Sequence, residues 1–133
     1  TCDTQTAQRD CPVGGDNCAG VDGCNWIVPL TLDGLSCDGS EDHSYDVTVT
    51  STECGSSNVD VTQTFFTRIS AGSSWDGPFT MQPNSGFPRS WTGTTCITYK
   101  PQAVRIRWRT PSSNPYKGME TAAISVCCVE GCD

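Results

Sequence analysis

Hydrophobic and polar residues alternate strictly along the stretch from Gln102 to Thr110. Val104, Ile106 and Trp108 share one parity, and arginines occupy the other. A repeat of two residues is typical of a β-strand that has one face in the core and one face in water. This stretch therefore predicts the strand around which the rest of the chain packs.

Similar alternation, or a short apolar run between turn residues, predicts further strands. With the first, they span residues 26–32, 45–50, 59–67, 79–82, 95–100, 102–110 and 121–129. Pro29 assigns the earliest strand to a sheet edge or a bulge, and the change of parity near Phe65 predicts a bulge or a change of buried face. Residues 70–95 are rich in Gly, Ser, Pro and Asn, and we expect at most one short strand there.

No stretch has a helical repeat over eleven or more residues, whereas predicted strands recur between turns. We therefore expect an all-β fold, a disulfide-rich antiparallel β-sandwich of about seven or eight strands. The length of 133 residues indicates a single extracellular domain, residues 1–133. A lectin-like or immunoglobulin-like sandwich suits this pattern, but that analogy concerns the fold and not the function.

The ten cysteines indicate an oxidised, secreted protein. A metal-binding role for them has little support, because the chain has no Cys-x-x-Cys pair and a single histidine, His43. Residues 1–37 hold five cysteines and few apolar residues, which predicts an N-terminal clasp held by disulfides and bonded to the C-terminal cysteines. We expect all ten to be paired: Cys2, Cys11, Cys18, Cys24, Cys37, Cys54, Cys96, Cys127, Cys128 and Cys132.

The formal net charge is -7, and its distribution is uneven. Residues 1–60 hold eleven acids and one base, and residues 61–133 hold four acids and seven bases. The acidic total argues against nucleic acid as a partner. The asymmetry has two interpretations: the acidic half folds onto the basic half, or copies of the chain associate head to tail.

The sequence has no long apolar run, so we expect no transmembrane segment. It begins without the charged and apolar regions of a signal peptide, so we expect a mature form that is secreted and extracellular. Catalysis is not expected, because the one histidine lies in an acidic loop and no Gly-x-Ser-x-Gly elbow is present. The chain is therefore predicted not to be an enzyme.

Arg105, Arg107 and Arg109 form a row on one face of the predicted strand, with neighbours about 7 Å apart. Such a row suits a repeating anion, for example a sulfated or uronate glycan, because guanidinium groups bind oxyanions with paired hydrogen bonds. Three alternatives remain open. The acidic half covers the row, acids on neighbouring strands pair with it, or the charges protect a sheet edge.

The long loop from Ser74 to Thr94 places large rings beside polar groups. Ring faces stack on sugars while neighbouring polar groups set the orientation of the sugar. The alternative is that the rings are packed under the loop as part of the core. The candidate ligand-binding residues of this loop are Trp75, Asp76, Phe87, Arg89 and Trp91.

We expect no cofactor, and calcium is the one ion that the acidic loops suit, because calcium prefers several carboxylate and carbonyl oxygens. Solvated acidic loops are the alternative. The candidate calcium ligands are Asp16, Asn17, Asp22, Asp38 and Asp42.

These features favour a secreted, non-enzymatic binding module whose partner is an extracellular glycan or protein. Carbohydrate binding, in the manner of a lectin, is the leading hypothesis because it uses both the aromatic loop and the arginine row. The alternatives are a structural component of an extracellular matrix or filament, which would self-associate, and a secreted toxin or defence protein.

Overall fold

The computed structural model describes residues 1–20, 23–37, 43–111 and 116–132. Within these ranges the regular secondary structure is β-strand alone, which confirms the predicted all-β sandwich. Nine strands are present, more than predicted. They are β1 (Cys2–Gln8), β2 (Cys24–Pro29), β3 (Ser44–Glu53), β4 (Thr62–Arg68), β5 (Asp76–Thr80), β6 (Gln82–Pro83), β7 (Ser90–Ile97), β8 (Ala103–Arg109) and β9 (Met119–Val129).

The strands form two antiparallel sheets whose inner faces meet in one hydrophobic core. The five-stranded sheet has the order β1-β9-β3-β7-β6, and the four-stranded sheet has the order β2-β8-β4-β5. Alternate residues of each strand point inward because the side-chain repeat of a strand is two. The fully buried aliphatic residues of the core include Val47, Val49, Val104, Ile106 and Ile124.

Strand β8 lies inside its sheet, between β2 and β4. Val104, Ile106 and Trp108 are each 0% exposed, and the three arginines between and after them are partly exposed. Burying an aliphatic or aromatic side chain of this kind contributes about 1.5–3 kcal/mol. The alternation therefore determines which face of β8 meets the core, as the sequence predicts. Pro29 lies on the edge strand β2, also as predicted.

The N-terminal segment is more regular than expected from its composition. Strand β1 pairs with β9 along its whole length, from Cys2 opposite Cys127 to Gln8 opposite Thr121. The side chain of Gln5 donates a 2.6 Å hydrogen bond to the carbonyl of Pro29. Backbone pairing orders this polar strand, and that contribution does not require apolar side chains.

Five disulfides join all ten cysteines. The predicted link between the N-terminal clasp and the C-terminal end is confirmed twice, because neighbouring cysteines in β9 lie on opposite parities and bond in different directions. The pairs are Cys2–Cys127, Cys37–Cys128, Cys11–Cys54, Cys18–Cys24 and Cys96–Cys132.

The expectation of at most one short strand in residues 70–95 is wrong, because β5, β6 and the first half of β7 lie there. The chain leaves the four-stranded sheet at Thr80, buries Met81, and joins the five-stranded sheet at Gln82. Short strands that contain Gly and Pro give no alternating pattern. The sequence therefore does not predict that the chain crosses from one sheet to the other here. The parity change near Phe65 does correspond to a register shift between β4 and β5.

Gly93 makes room for this crossing. A Cβ atom at Gly93 would lie 2.4 Å from the backbone oxygen of Thr80 and 3.0 Å from a ring carbon of Phe65. Neither backbone nor a packed ring moves away at low cost.

We therefore predict that Gly93→Ala lowers the free energy of unfolding by about 1–3 kcal/mol, the usual cost of overpacking a core. Gly86→Ala is the matched control, because a Cβ there would lie 3.8 Å from its nearest neighbour, the Asn84 side chain. Urea denaturation of both variants measures the difference. Equal stability of the two variants would contradict this account of the crossing.

Candidate functional site

The outer face of the four-stranded sheet carries the arginines of β8. Strand β4 lies beside β8, with Phe66 opposite Arg105 and Thr64 opposite Arg107. On the other side, β2 places Ile27 opposite Arg105. Registered pairs on one face lie close enough for side-chain contact, so the sheet builds a surface of arginine and apolar residues.

Arginine and aromatic side chains alternate on this surface. The guanidinium carbons of Arg68 and Arg105 lie 4.4 and 5.1 Å from the ring centroid of Trp75. Those of Arg105 and Arg107 lie 4.2 and 4.8 Å from the ring centroid of Phe66. These distances are within the range of cation–π contacts. We call these five residues the arginine–aromatic stack.

Phe66 is buried although it faces outward. It lies outside the core cluster that contains its neighbour Phe65, and it is 5% exposed. The contacts with Arg105 and Arg107 account for this burial, because long arginine side chains cover apolar surface while their charged ends stay near water. The stack therefore holds its arginines in fixed positions above an apolar base.

No carboxylate pairs with the arginines of the stack among the residues that the structure describes. The ion pairs there are Arg9–Asp16 and Arg89–Glu53. Neutral groups contact the stack instead: Arg68 Nε donates to Gln102 Oε1 at 2.7 Å, and Arg107 Nε donates to Asn25 Oδ1 at 3.4 Å.

This arrangement rules out one of the alternatives for the arginine row. Edge protection is wrong, since β8 has a hydrogen-bonded neighbour on each side. Arg105 and Arg107 form no ion pair with an acid within the described ranges. The acidic loop residues 38–42 lie outside them.

Arg105 is the most constrained member of the stack. Burial, and secondarily the positive charge of Arg107, lowers the pKa of its guanidinium group. Its Nε atom is buried and has no hydrogen-bond acceptor within the described part of the chain. A bound anion would place negative charge beside the guanidinium group and so favour its charged form.

Arg109 lies at the far end of the row. Its aliphatic stem packs against Gly23, where even a Cβ atom would come within 2.3 Å of it. With Asp60 and Thr62 it lines a shallow pocket of about 300 Å³. The row thus has two environments, and only Arg105 and Arg107 belong to the stack.

The structure separates the candidate residues of the aromatic loop. Trp75 joins the arginine–aromatic stack. Its neighbour Asp76 accepts a hydrogen bond from the hydroxyl of Tyr99, which also contacts the hydroxyl of Thr67 at 2.7 Å. Burial and then the hydrogen bond to Asp76 raise the pKa of Tyr99 to about 12.

The other three residues lie elsewhere. Trp91 is 1% exposed in the core, so its ring faces are covered by protein. Arg89 contacts this ring at 5.3 Å and that of Phe87 at 5.5 Å. Phe87 is 57% exposed but does not contact the stack. These residues do not form one surface with Trp75.

Arg89 instead belongs to a buried polar network around Glu53. Its Nε lies 3.4 Å from Glu53 Oε2, and Tyr116 donates to the same oxygen at 2.7 Å. The backbone N–H of Ser57 donates to Glu53 Oε1 at 3.1 Å, and Arg89 donates to the carbonyls of Ser57 and Val59. Arg89 therefore anchors the turn after β3.

The calcium candidates have no common site in the described residues. Asp16 pairs with Arg9 at 2.9 Å, and its backbone bonds to that of Tyr116. Asn17 is exposed, and Asp22, Asp38 and Asp42 lie outside the described ranges. Clusters of possible metal ligands within those ranges occur at Cys11, Cys54 and Glu120 and at Asp16, Cys18 and Cys24, but each includes an entire disulfide and so lacks thiolates.

Sequence reasoning did not find Phe66 and Arg68 as members of the site. Phe66 is an apolar residue at a position of β4 where the alternation predicts a polar one. Such a residue is the signal that other side chains cover this position. Arg68 carries no such signal, because its contact with Trp75 depends on how the loop after β4 returns to the sheet.

The fold and the stack define a disulfide-bonded β-sandwich with one cationic, aromatic sheet face. The chain matches no protein-family model, and no curated protein matches it significantly. The described part of the chain contains no helical segment suited to crossing a bilayer.

Replacing Arg89 tests its structural role. We predict that Arg89→Met lowers the free energy of unfolding by about 3–5 kcal/mol, because Glu53 is left as a buried charge without its partner. The double variant Arg89→Met, Glu53→Gln should recover much of this loss, since no charge then remains buried. Guanidinium chloride denaturation provides the measurement, and an unchanged midpoint for the single variant would refute the assignment.

Ionisation of Tyr116 is expected to lower the stability of the folded protein at alkaline pH. Burial, followed by the hydrogen bond to Glu53, raises its pKa above the ordinary value. The unfolded chain therefore ionises first, at about pH 10, so the stabilisation is complete below that pH and decreases as pH rises above it. We predict that Tyr116→Phe has a shallower loss of stability between neutral pH and about pH 11. Denaturation series at several pH values compare the two proteins, and identical slopes would contradict the prediction.

Proposed function

We propose that this protein is a secreted, non-enzymatic binding module for anionic polysaccharides, sulfated or uronate, and that the arginine–aromatic stack is its binding surface. The observation that carries the proposal is the alternating stack of Arg68, Trp75, Arg105, Phe66 and Arg107 without a carboxylate partner among the described residues.

The geometry of arginine supports an oxyanion ligand. A guanidinium group presents several N–H donors in one plane, and that plane matches two oxygens of a sulfate or carboxylate. Stacking on a ring occupies the faces of the guanidinium group and leaves its edges for the ligand. Arg105 and Arg107 are two residues apart on β8, about 7 Å along the strand, which suits anions repeated along a chain.

The apolar parts of the surface support a sugar backbone between the anions. Trp75 is partly exposed between Arg68 and Arg105, and Ile27 is 46% exposed beside Arg105. Apolar C–H faces of a sugar ring pack on such side chains, while the charged groups set its position. This combination favours a polysaccharide over a small inorganic anion.

Local charge supports the proposal despite the acidic total. The net charge of -7 makes the protein as a whole repel polyanions, so binding requires a local positive surface. The guanidinium groups of the stack, which have no carboxylate partner among the described residues, supply one. The five disulfides support secretion, since such bonds persist in oxidising compartments where matrix polysaccharides occur.

The test is a binding titration with a sulfated polysaccharide, a uronate polymer and neutral dextran. Each charge-assisted hydrogen bond contributes about 1.5–3 kcal/mol, so Arg105→Gln with Arg107→Gln should weaken binding at least about tenfold. Lys100→Gln with Lys117→Gln is the matched control, because it also removes two positive charges, from exposed positions outside the stack. Binding should weaken with added salt.

An equal loss of affinity in the lysine control and in the arginine variant would show that the effect comes from overall charge, and it would refute the site. Absence of binding to both anionic polymers would refute the proposed function. Light scattering under the same conditions detects large assemblies of the protein alone, which would favour the structural alternative.

A further inference from the structure

The outer face of the five-stranded sheet is a second regular surface, separate from the proposed polysaccharide site. Three of its strands contain a Thr-x-Thr motif whose threonines point outward. We call this surface the threonine face; its residues are Thr4 and Thr6 of β1, Thr48, Thr50 and Thr52 of β3, Thr92 and Thr94 of β7, and Thr121, Ala123 and Ser125 of β9.

Strand register aligns these residues in rows across the sheet. One row runs through Thr4, Ser125, Thr48 and Thr94, and the next through Thr6, Ala123, Thr50 and Thr92. Neighbouring positions in a row are roughly 4.8 Å apart, and neighbouring rows are roughly 6.8 Å apart, because these are the strand spacing and the two-residue rise of a sheet. The side chains of these rows therefore start from regularly spaced backbone positions and form a two-dimensional array, in which Ala123 carries no hydroxyl group.

The array is held rigidly. Threonine is branched at Cβ, which restricts its side chain to few rotamers. Thr48 and Thr94 place their hydroxyl oxygens 3.1 Å apart, and Thr50 and Thr92 do the same. The Cys2–Cys127 disulfide joins β1 to β9 at one end of the face. A rigid array loses little conformational entropy when it binds a regular surface.

The composition of the rows excludes the ligand proposed for the other face. Their residues carry no charge to pair with a polyanion and no aromatic ring to stack on a sugar. Each threonine presents one methyl and one hydroxyl group. Between Thr6 and Thr50 the small side chain of Ala123 leaves a trough of about 280 Å³. The matching partner is uncharged, bonds through hydroxyl-like groups, and repeats in two dimensions.

We propose that the threonine face binds the surface of ice. The oxygen atoms on the prism face of hexagonal ice repeat in two dimensions with spacings close to those of the rows and strands. The hydroxyl pairs Thr48–Thr94 and Thr50–Thr92 repeat from one row to the next, and we expect these pairs to hydrogen-bond to the water oxygens of that lattice. Sheet twist of about 20° per strand confines the best match to neighbouring strands, so the contact centres on β9, β3 and β7.

Ice itself is the probe. The purified protein should hold ice crystals below their melting point without growth, shape them into facets, and slow recrystallisation in a frozen film. Thr94→Tyr and Thr92→Tyr each place a large ring on the exposed face of β7 and should abolish these effects. Thr80→Tyr is the matched control, because Thr80 is an exposed threonine on β5 of the other sheet, and it should retain them.

Circular dichroism and a thiol count establish that each variant is folded and fully oxidised. Arg105→Gln with Arg107→Gln should keep the ice activity, which separates this proposal from the polysaccharide site. Ice activity no greater than that of an equal mass of albumin would overturn the proposal, as would full activity in both tyrosine variants. Adsorption to microcrystalline cellulose, or pairing of two threonine faces into a dimer, without activity on ice would equally overturn it.

Discussion

The arrangement of this protein depends on the burial of one parity of β8. Val104, Ile106 and Trp108 lose all contact with water in the core, and a strand cannot turn its apolar residues inward without turning the intervening residues outward. The arginines of β8 consequently face away from the core, on a strand with neighbours on both sides. Phe66 and Trp75 cover the outer face of the sheet beside these arginines. The composition of the outer face is therefore a consequence of the packing of the inner face.

Both sheets obey the same constraint but with different side chains. The outer face of the four-stranded sheet is cationic and aromatic, and that of the five-stranded sheet is rich in threonine. A small sandwich has two such faces, and its disulfides join strand ends and loops. The scaffold therefore presents two broad surfaces of distinct chemistry.

The residues that resist prediction are those whose environment depends on distant parts of the chain. Arg89 and Trp91 look like exposed loop residues in the sequence. Trp91 is instead buried near the start of β7, and Arg89 pairs with Glu53, a residue far away in the chain. Strand β1 has no apolar alternation because its order comes from the backbone of β9. The strands β5 and β6 are short, and their Gly and Pro residues obscure any repeat.

Local patterns in the sequence by themselves determined the all-β class, the parity of β8, the edge position of Pro29 and the connection between the N-terminal and C-terminal cysteines. These features depend on the two-residue repeat, on the missing N–H of proline and on the odd number of cysteines in the first part of the chain. Only the tertiary structure decided which arginines stack on which rings, which aromatic residues are buried, and how threonines from separate strands align in rows. The physical reason is that contacts between strands depend on register and sheet order, and residues far apart in the chain set both.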